Sequence, residues 1–293
     1  MKAIAALLLA STATAVAAQP HYAQGDFNLW ALKVYGVSGS ESDVERGGKL
    51  KEHAVGGSLQ YMTPIGHGRM LGGGIEIDKR TLDFSGATGL PAALGQLNER
   101  LRYQAAIAYI QPLNKEWSMM LSPAINWSYA DEASAADGFG YSLVAITNYS
   151  GFEGMKLGFG LAYSDGPAED NIAPFISIDW QINDKWRLSS PFDAGFNGKA
   201  GLELSYQYSP SITVGAGAGL RTDQFAVDAN TAIQQDMPVG YVRASYNWSP
   251  QATVSLLMGF RSAADLTVYQ NGNETDYEID ASGLFGLSMD YKF

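Results

Sequence analysis

The sequence predicts an all-β fold, namely a transmembrane, antiparallel, up-and-down β-barrel of about fourteen strands, with about twelve as the alternative. Three observations lead to this prediction. Apolar residues recur at every second position, short turns alternate with longer polar loops along the chain, and aromatic residues concentrate near the predicted strand ends. The barrel also accounts for a chain that is 46% hydrophobic, contains 33 glycines and has a mean hydropathy of -0.09.

The composition argues against several other classes of protein. The absence of cysteine excludes a disulfide framework and any cysteine-based metal or redox site. Thirty acidic residues against nineteen Lys and Arg give a net charge of -11, which argues against nucleic-acid binding. Beyond the N-terminal segment, no apolar run approaches the roughly 18 residues that a membrane helix needs.

The N-terminal segment, residues 1–18, predicts a secretory signal peptide. Lys2 supplies the positive charge, residues 3–16 form the apolar stretch, and small residues allow cleavage after Ala17 or Ala18. We therefore expect residues 19–293 to form the β-barrel domain outside the cytoplasm.

The alternation of apolar and polar residues defines the predicted strands. In a strand, successive side chains point to opposite faces, so one face here is apolar and the other is polar or small. Segments of about 10 residues match the length of a tilted strand that crosses a bilayer. The predicted strands are 27–37, 53–62, 70–79, 100–110, 117–129, 139–148, 156–164, 172–182, 186–192, 199–208, 211–221, 237–248, 251–261 and 278–293.

The connections between these strands alternate in length. Short turns are predicted at 63–66, 112–115, 183–185, 209–210 and 249–250, and longer polar loops at 38–52, 80–99, 222–236 and 262–277. This alternation is typical of a barrel with short periplasmic turns and long extracellular loops. One residue conflicts with the pattern. Because proline has no backbone N–H, Pro123 cannot donate one of the hydrogen bonds that pair a central strand with its neighbour. It therefore predicts a β-bulge there.

Aromatic residues provide an independent indication of the membrane, because their rings concentrate at lipid–water interfaces. Trp117, Trp180, Trp186 and Trp248 fall at the short-turn ends of predicted strands. The opposite, outer ring is predicted to contain Tyr35, Tyr103, Tyr129, Tyr141 and Tyr163.

The C-terminus ends in apolar residues at alternate positions: Phe285, Leu287, Met289, Tyr291 and Phe293. With this ending and the strand pattern, the chain resembles bacterial outer-membrane β-barrel proteins over its whole mature length. The resemblance implies a location in the outer membrane, in contact with its lipid and lipopolysaccharide. It also implies that Phe293, Tyr291 and Met289 are the signal bound by the barrel-assembly machinery. Ser288 departs mildly from the family pattern, where Gly is frequent.

The polar face predicts what the barrel does. Small residues would leave the lumen open, and opposed charges would place an electric field across its narrow part. We therefore predict a passive, weakly selective channel for small hydrophilic solutes. The alternative is that the charges pair across a plugged, non-conducting lumen of a structural or partner-binding barrel. The predicted pore-lining residues are Lys33, Glu76, Asp78, Arg102, Gln104, Asp179, Glu203, Arg221, Arg243 and Arg261.

The sequence predicts neither a catalytic site nor a metal site or cofactor. Its three histidines are His21, His53 and His67, and none has a Ser two residues later or an Asp two residues earlier. Those pairs occur in barrel lipases, deacylases and proteases, so an enzyme is a distant third prediction. Only residues 19–26 precede the first strand, which predicts no N-terminal plug of the kind found in long-chain fatty-acid transporters. Loop 80–99 is the candidate for an inward-folded constriction.

Overall fold

The computed structural model describes residues 30–45, 48–86, 97–191 and 200–293. The predicted signal peptide and its cleavage site lie outside the described residues. Within these ranges no helix is long and apolar enough to span a membrane. The strands are β1 (Trp30–Gly39), β2 (Ser42–Val44), β3 (Gly48–Gly66), β4 (Arg69–Ser85), β5 (Glu99–Pro112), β6 (Trp117–Ala130), β7 (Phe139–Phe152), β8 (Met155–Asp165), β9 (Asn171–Gln181), β10 (Trp186–Ser189), β11 (Ala200–Ser209), β12 (Ile212–Asp228), β13 (Thr231–Asn247), β14 (Ala252–Arg261), β15 (Ala264–Gln270), β16 (Asn273–Ile279) and β17 (Ser282–Lys292).

Fourteen of these strands close into an antiparallel barrel, which confirms the predicted fold class. Its members are all the strands except β2, β15 and β16. Each pairs with its neighbour along the chain, and β1 closes the ring by pairing with both β3 and β17. Val34 of β1, for example, lies opposite Met289 on one side and Gly57 on the other.

The two faces of the sheet differ as the alternation predicts. On the outside, Ile176 is 68% exposed and Ile107 is 57% exposed. Their chain neighbours Ser177 and Ala108 point inward and are buried. An apolar outer surface next to a polar or small inner one is the arrangement that lipid favours around a closed barrel.

The predicted longer polar loops contain strands, which the alternation did not predict. β2, β15, β16 and the outer ends of β3, β4, β12 and β13 extend the sheet beyond the length that a bilayer requires. β15 pairs with the outer part of β13, β16 pairs with β15, and β2 links β16 to β3. Of the predicted constriction loop 80–99, residues 87–96 lie outside the described part of the chain.

Aromatic residues form contacts at both ends of the barrel. Near the short turns, the ring centroids of Trp30 and Tyr61 are 4.7 Å apart, and other pairs there are Trp117 with Tyr149 and Trp186 with Tyr206. Near the outer end, Tyr141 contacts Tyr163 at 5.9 Å. The prediction for Tyr35 is wrong, because its side chain points into the barrel. Tyr35 lies two residues after the inward residue Lys33, and alternate residues of a strand face the same side.

Pro123 interrupts the β5–β6 ladder without the predicted bulge. Pairing runs from Arg100–Ala130 to Ala106–Ala124 and resumes at Tyr109–Leu121 in the same register. The Ser122 hydroxyl donates to the Ile107 carbonyl at 3.0 Å. Because that carbonyl lies opposite Pro123, the hydroxyl replaces the N–H that proline lacks, and no extra residue is needed.

Candidate functional site

The ten residues predicted to line a pore all lie on inward-facing positions of their strands. Five are buried, namely Glu76, Asp78, Gln104, Glu203 and Arg261. The side chains of Lys33, Arg102, Asp179, Arg221 and Arg243 are half-buried. The structure thus brings these residues into one interior, and their part in solute passage stays a prediction.

The centre of this interior contains a charge cluster, which we define as Tyr35, Asp78, Arg80, Arg100 and Asp223. Arg100 forms ion pairs with Asp78 and, at 2.6 Å, with Asp223. Asp223 also pairs with Arg80 at 2.9 Å, and the Tyr35 hydroxyl donates to Asp78 at 2.7 Å. Because β1, β4 and β5 supply four members and β12 supplies Asp223, the cluster spans the lumen from one wall to another.

Further ion pairs surround the charge cluster. One well-buried pair joins Arg261 to Glu52 at 3.0 Å, and Arg261 also donates to the Ser42 hydroxyl at 2.8 Å. Toward the short-turn end the pairs are more exposed, as in Arg187 and Asp179, which are 33% and 29% exposed. The remaining interior pairs are Arg102 with Glu76, Arg243 with Glu203 and Lys33 with Asp290. Most of these pairs join neighbouring strands of one wall, whereas the pairs of Asp223 with Arg80 and Arg100 join distant strands, as the non-conducting alternative predicts.

Several inward glycines accommodate aromatic rings from inside the barrel. A Cβ atom on Gly56 would lie 2.6 Å from the Tyr35 ring, and one on Gly217 would lie 2.6 Å from the Tyr241 hydroxyl. A Cβ atom on Gly160 would overlap the Phe175 ring. At these positions glycine does not leave the lumen open, contrary to the prediction from its small size.

An outer apolar cluster lies beyond the charges. It is a group of buried side chains from the extended strands and from Leu97. A closed apolar core excludes water, so it blocks this part of the outer mouth. Its members are Val44, Leu50, Leu82, Leu97, Ala130, Phe225, Val227, Ile233, Leu266, Val268, Tyr277 and Ile279.

The outer hairpin, residues 222–236 of β12 and β13, crosses the barrel mouth. Phe225, Ala226 and Val227 are consecutive and all buried, so both faces of the hairpin are covered. Ala226 forms a parallel bridge with Tyr129 of β6, which lies on the far side of the barrel in sheet order. Within the part of the chain that the structure describes, this hairpin is therefore a segment that folds inward.

A polar recess lies on the β6 side of the outer hairpin. Its cavity volume is about 20 Å³, which is room for one water molecule. Its wall is formed by β5, β6, the outer hairpin and residues 165–167. Side chains that face it include Arg102, Asn126, Ser128, Asp165, Thr222 and Gln224.

Most of the charge cluster lies outside the residues predicted to line the lumen. Arg80 and Asp223 lie in predicted loops, and Arg100, which begins a predicted strand, is not among the predicted pore-lining residues. Strand parity would have identified two of them, because Arg80 shares the inward parity of Asp78 and Arg100 that of Arg102. Asp223 depends on β12 continuing past the membrane, for which the polar sequence there gives no signal.

Two of the three histidines lie in the described part of the chain. His53 lies at an outward-facing position of β3, opposite Thr81 and Ser38, and His67 lies in the turn between β3 and β4. His21 precedes the described residues. In the described ranges no three His, Cys, Asp or Glu side chains are placed to hold a metal ion.

The fold and its charged interior define a transmembrane β-barrel of the outer-membrane type. The chain is similar to the COG4313 outer membrane channel from Pseudomonas putida F1, with a TM-score of 0.51, 11% identity, and coverage of 94% of this chain and 99% of that one. It is also similar to a FadL homologue from Pseudomonas aeruginosa, with a TM-score of 0.50, 13% identity and 90% coverage of each chain. These likenesses confirm the predicted resemblance at the level of the fold.

The chain belongs to the family described as Domain of unknown function (DUF6268), whose model matches residues 96–289. No curated protein matches the sequence.

Proposed function

We propose that the protein is an outer-membrane channel that passes small hydrophilic solutes passively and with weak selectivity. The observation that carries this proposal is the polar inner face, which runs from the half-exposed pair Arg187–Asp179 near the short turns to the recess at the outer hairpin. Polar groups along a lumen replace part of the hydration of a passing solute. The similarity to the P. putida channel supports the same class of function.

The cellular setting is part of the proposal. The predicted signal peptide directs the chain across the inner membrane, and the apolar outside contacts outer-membrane lipid and lipopolysaccharide. Phe293, Tyr291 and Met289 serve as the signal for the barrel-assembly machinery. In support of this role, Met289 is 37% exposed, Tyr291 is 37% exposed and Phe293 is 53% exposed on the outer face.

A non-conducting barrel is the second candidate, and two observations favour it. Arg100 and Asp223 are paired and almost fully buried in the lumen, and the outer apolar cluster fills part of the mouth beyond them. In this function the outer strands would bind a partner or stabilise the envelope, and no solute would cross.

Planar-bilayer recording of the purified, refolded protein separates the two candidates. A channel gives discrete current steps in potassium chloride, and the same preparation makes vesicles permeable to small sugars or amino acids. Protein denatured by boiling, added at the same detergent concentration, is the control. Silence at all voltages and salt concentrations, from protein whose gel mobility shows a folded barrel, would overturn the channel and favour the second candidate.

A further inference from the structure

The lumen and the chain as a whole carry opposite charges. The full sequence has a net charge of -11. On the inward-facing positions of the described barrel strands, up to Asp223 at the base of the outer hairpin, ten Lys and Arg residues lie with seven Asp and Glu residues. Ten bases against seven acids leave an excess of three positive charges inside the barrel.

The excess becomes visible when the ion pairs are assigned. Each of the seven acids forms an ion pair with an inward base, and these pairs engage seven of the ten bases. The other three are Lys156, Arg221 and Lys292. Lys156 lies opposite Asp179 in the β8–β9 pairing, and Lys292 lies at the short-turn end of β17. Arg221 is the one that lies next to the charge cluster.

Arg221 faces the charge cluster without joining it. Its guanidinium is within electrostatic reach of Asp78, Asp223 and Arg80, but it forms no hydrogen bond or ion pair within the part of the chain that the structure describes. The two carboxylates are already engaged, Asp78 by Arg100 and Asp223 by both Arg100 and Arg80. Arg221 is half-buried, and none of its nitrogen atoms is buried without a partner, so its N–H groups are open to water in the lumen.

A hydrated guanidinium without a carboxylate partner attracts anions. It offers five N–H donors and no acceptor, a geometry that suits halides, carboxylates and phosphates. Pores lined by Arg or Lys favour anions for this reason. A cation at the same place would be repelled by Arg221, and it could use the neighbouring acids only by separating their buried ion pairs.

Most of the acidic residues that make the chain negative lie outside the lumen. They occupy the outer strands and outer turns, as do Glu274, Asp276 and Glu278 of β16, which are all exposed. Salt screens such exposed charges over about 10 Å at 0.1 M ionic strength. The charge that an ion meets inside the barrel is therefore set mainly by the inward residues.

We propose that the channel prefers small anions to cations, and that Arg221 is the anion-binding residue at the centre of the lumen that produces this preference. The inference rests on the proposed channel function and specifies its solute class, which is a small anion such as chloride or a short carboxylate. In water, a unit charge about 6 Å away changes the local concentration of a monovalent ion about threefold.

The test measures reversal potentials in planar bilayers that separate two concentrations of potassium chloride. For the unmodified protein, we expect chloride to be about three times as permeant as potassium. Arg221→Gln removes the charge, and the permeability ratio should fall about threefold, to near one. Arg221→Lys retains the charge and should retain most of the preference. Because Arg221 forms no hydrogen bond, both variants should fold, which heat-modifiable gel mobility checks.

Lys51→Gln is the matched control, because Lys51 is exposed on the outward face of β3 and the variant loses the same charge outside the lumen. Its permeability ratio should equal that of the unmodified protein. Folded channels that conduct with a chloride-to-potassium ratio of one or below, or an unchanged ratio in Arg221→Gln, would overturn the anion site while leaving the channel function intact. A protein that carries no current would overturn the channel function, and the anion site with it.

Discussion

Arg100 of β5 and Asp223 of β12 form an ion pair at 2.6 Å inside the barrel, although 123 residues separate them in the sequence. Their side chains are 1% and 3% exposed. Asp223 is also the partner of Arg80, and Arg100 pairs with Asp78 as well, so one shared carboxylate ties the base of the outer hairpin to the opposite wall.

The first prediction concerns the stability that this carboxylate provides. Asp223→Ala should lower the free energy of unfolding by about 3–5 kcal/mol, because it leaves two buried cations without their shared partner. Urea unfolding of the barrel in lipid vesicles measures this change. Asp83→Ala is the control, since Asp83 is exposed on the outer end of β4, and we expect an effect within about 0.5 kcal/mol. Equal effects of the two variants would contradict the prediction.

The second prediction concerns the conductance of the same variant. Without Asp223, the outer hairpin loses its ion pairs to β4 and β5 and should leave the mouth more often. Single-channel recording should then show longer or larger openings for Asp223→Ala than for the unmodified protein. Asp83→Ala again serves as the reference. Unchanged opening statistics, in variants that are folded on gels, would mean that the hairpin does not limit the current.

The third prediction tests whether the Ser122 hydroxyl replaces the N–H that Pro123 lacks in the pairing of β5 with β6. Ser122→Ala should cost about 1–3 kcal/mol, because the Ile107 carbonyl loses its donor where water cannot replace it. In a Pro123→Val background, the restored backbone N–H can serve that carbonyl, and the same Ser122→Ala change should cost much less. The unfolding free energies of the four proteins form a double-mutant cycle. Additive effects would contradict this account.

The fourth prediction concerns the glycines beneath inward rings. Gly160→Ala should destabilise the barrel by about 1–3 kcal/mol, because the added methyl overlaps the Phe175 ring. Replacing the ring as well, in Gly160→Ala with Phe175→Leu, should recover part of the loss. Gly36→Ala is the control, since its Cβ atom would have no neighbour closer than 3.9 Å. A loss in Gly160→Ala that the second change does not reduce would exclude the ring as its cause.

The fifth prediction separates assembly from stability at the C-terminus. Phe293 stacks on Trp30 at 6.3 Å and exchanges two backbone hydrogen bonds with it, at 3.1 and 3.2 Å. If Phe293 is also an assembly signal, Phe293→Ala should reduce the folded barrel in cells far more than it reduces refolding into detergent. Phe260→Ala, an outward phenylalanine of β14, is the control. Equal losses in both assays would point to stability alone.

The sequence was informative wherever the lipid requires one face of a strand to be apolar. Ile107 and Ile176 could be assigned to the outside because a one-residue shift would expose polar side chains to lipid. The same parity rule places Tyr35 inside with Lys33, although its ring suggested the interface. On the inner face, the alternation along the strands identified Glu76 and Asp78 but not the residues that form ion pairs with them.

The outer part of the barrel could not be predicted in the same way. Residues 222–236 are rich in polar side chains, which favours a solvated loop. In the structure Gln224 donates to Gln234, so the two strands of the hairpin satisfy each other's polar groups. Ala226 forms its strand bridge with Tyr129, which lies so far away in the sequence that no local pattern predicts the contact.

The link between β2 and β16 has a mechanical consequence. In the barrel wall, the first and last strands, β1 and β17, are paired directly, as in the pairing of Val34 with Met289. At the outer end, Val44 of β2 and Ile279 of β16 form a second, separate pairing, with backbone hydrogen bonds of 2.8 and 2.9 Å on either side of it. The barrel is thus closed by two separate strand pairings at different heights. A force that separates β1 from β17 would break the lower pairing, while the β2–β16 pairing would still hold the outer end closed.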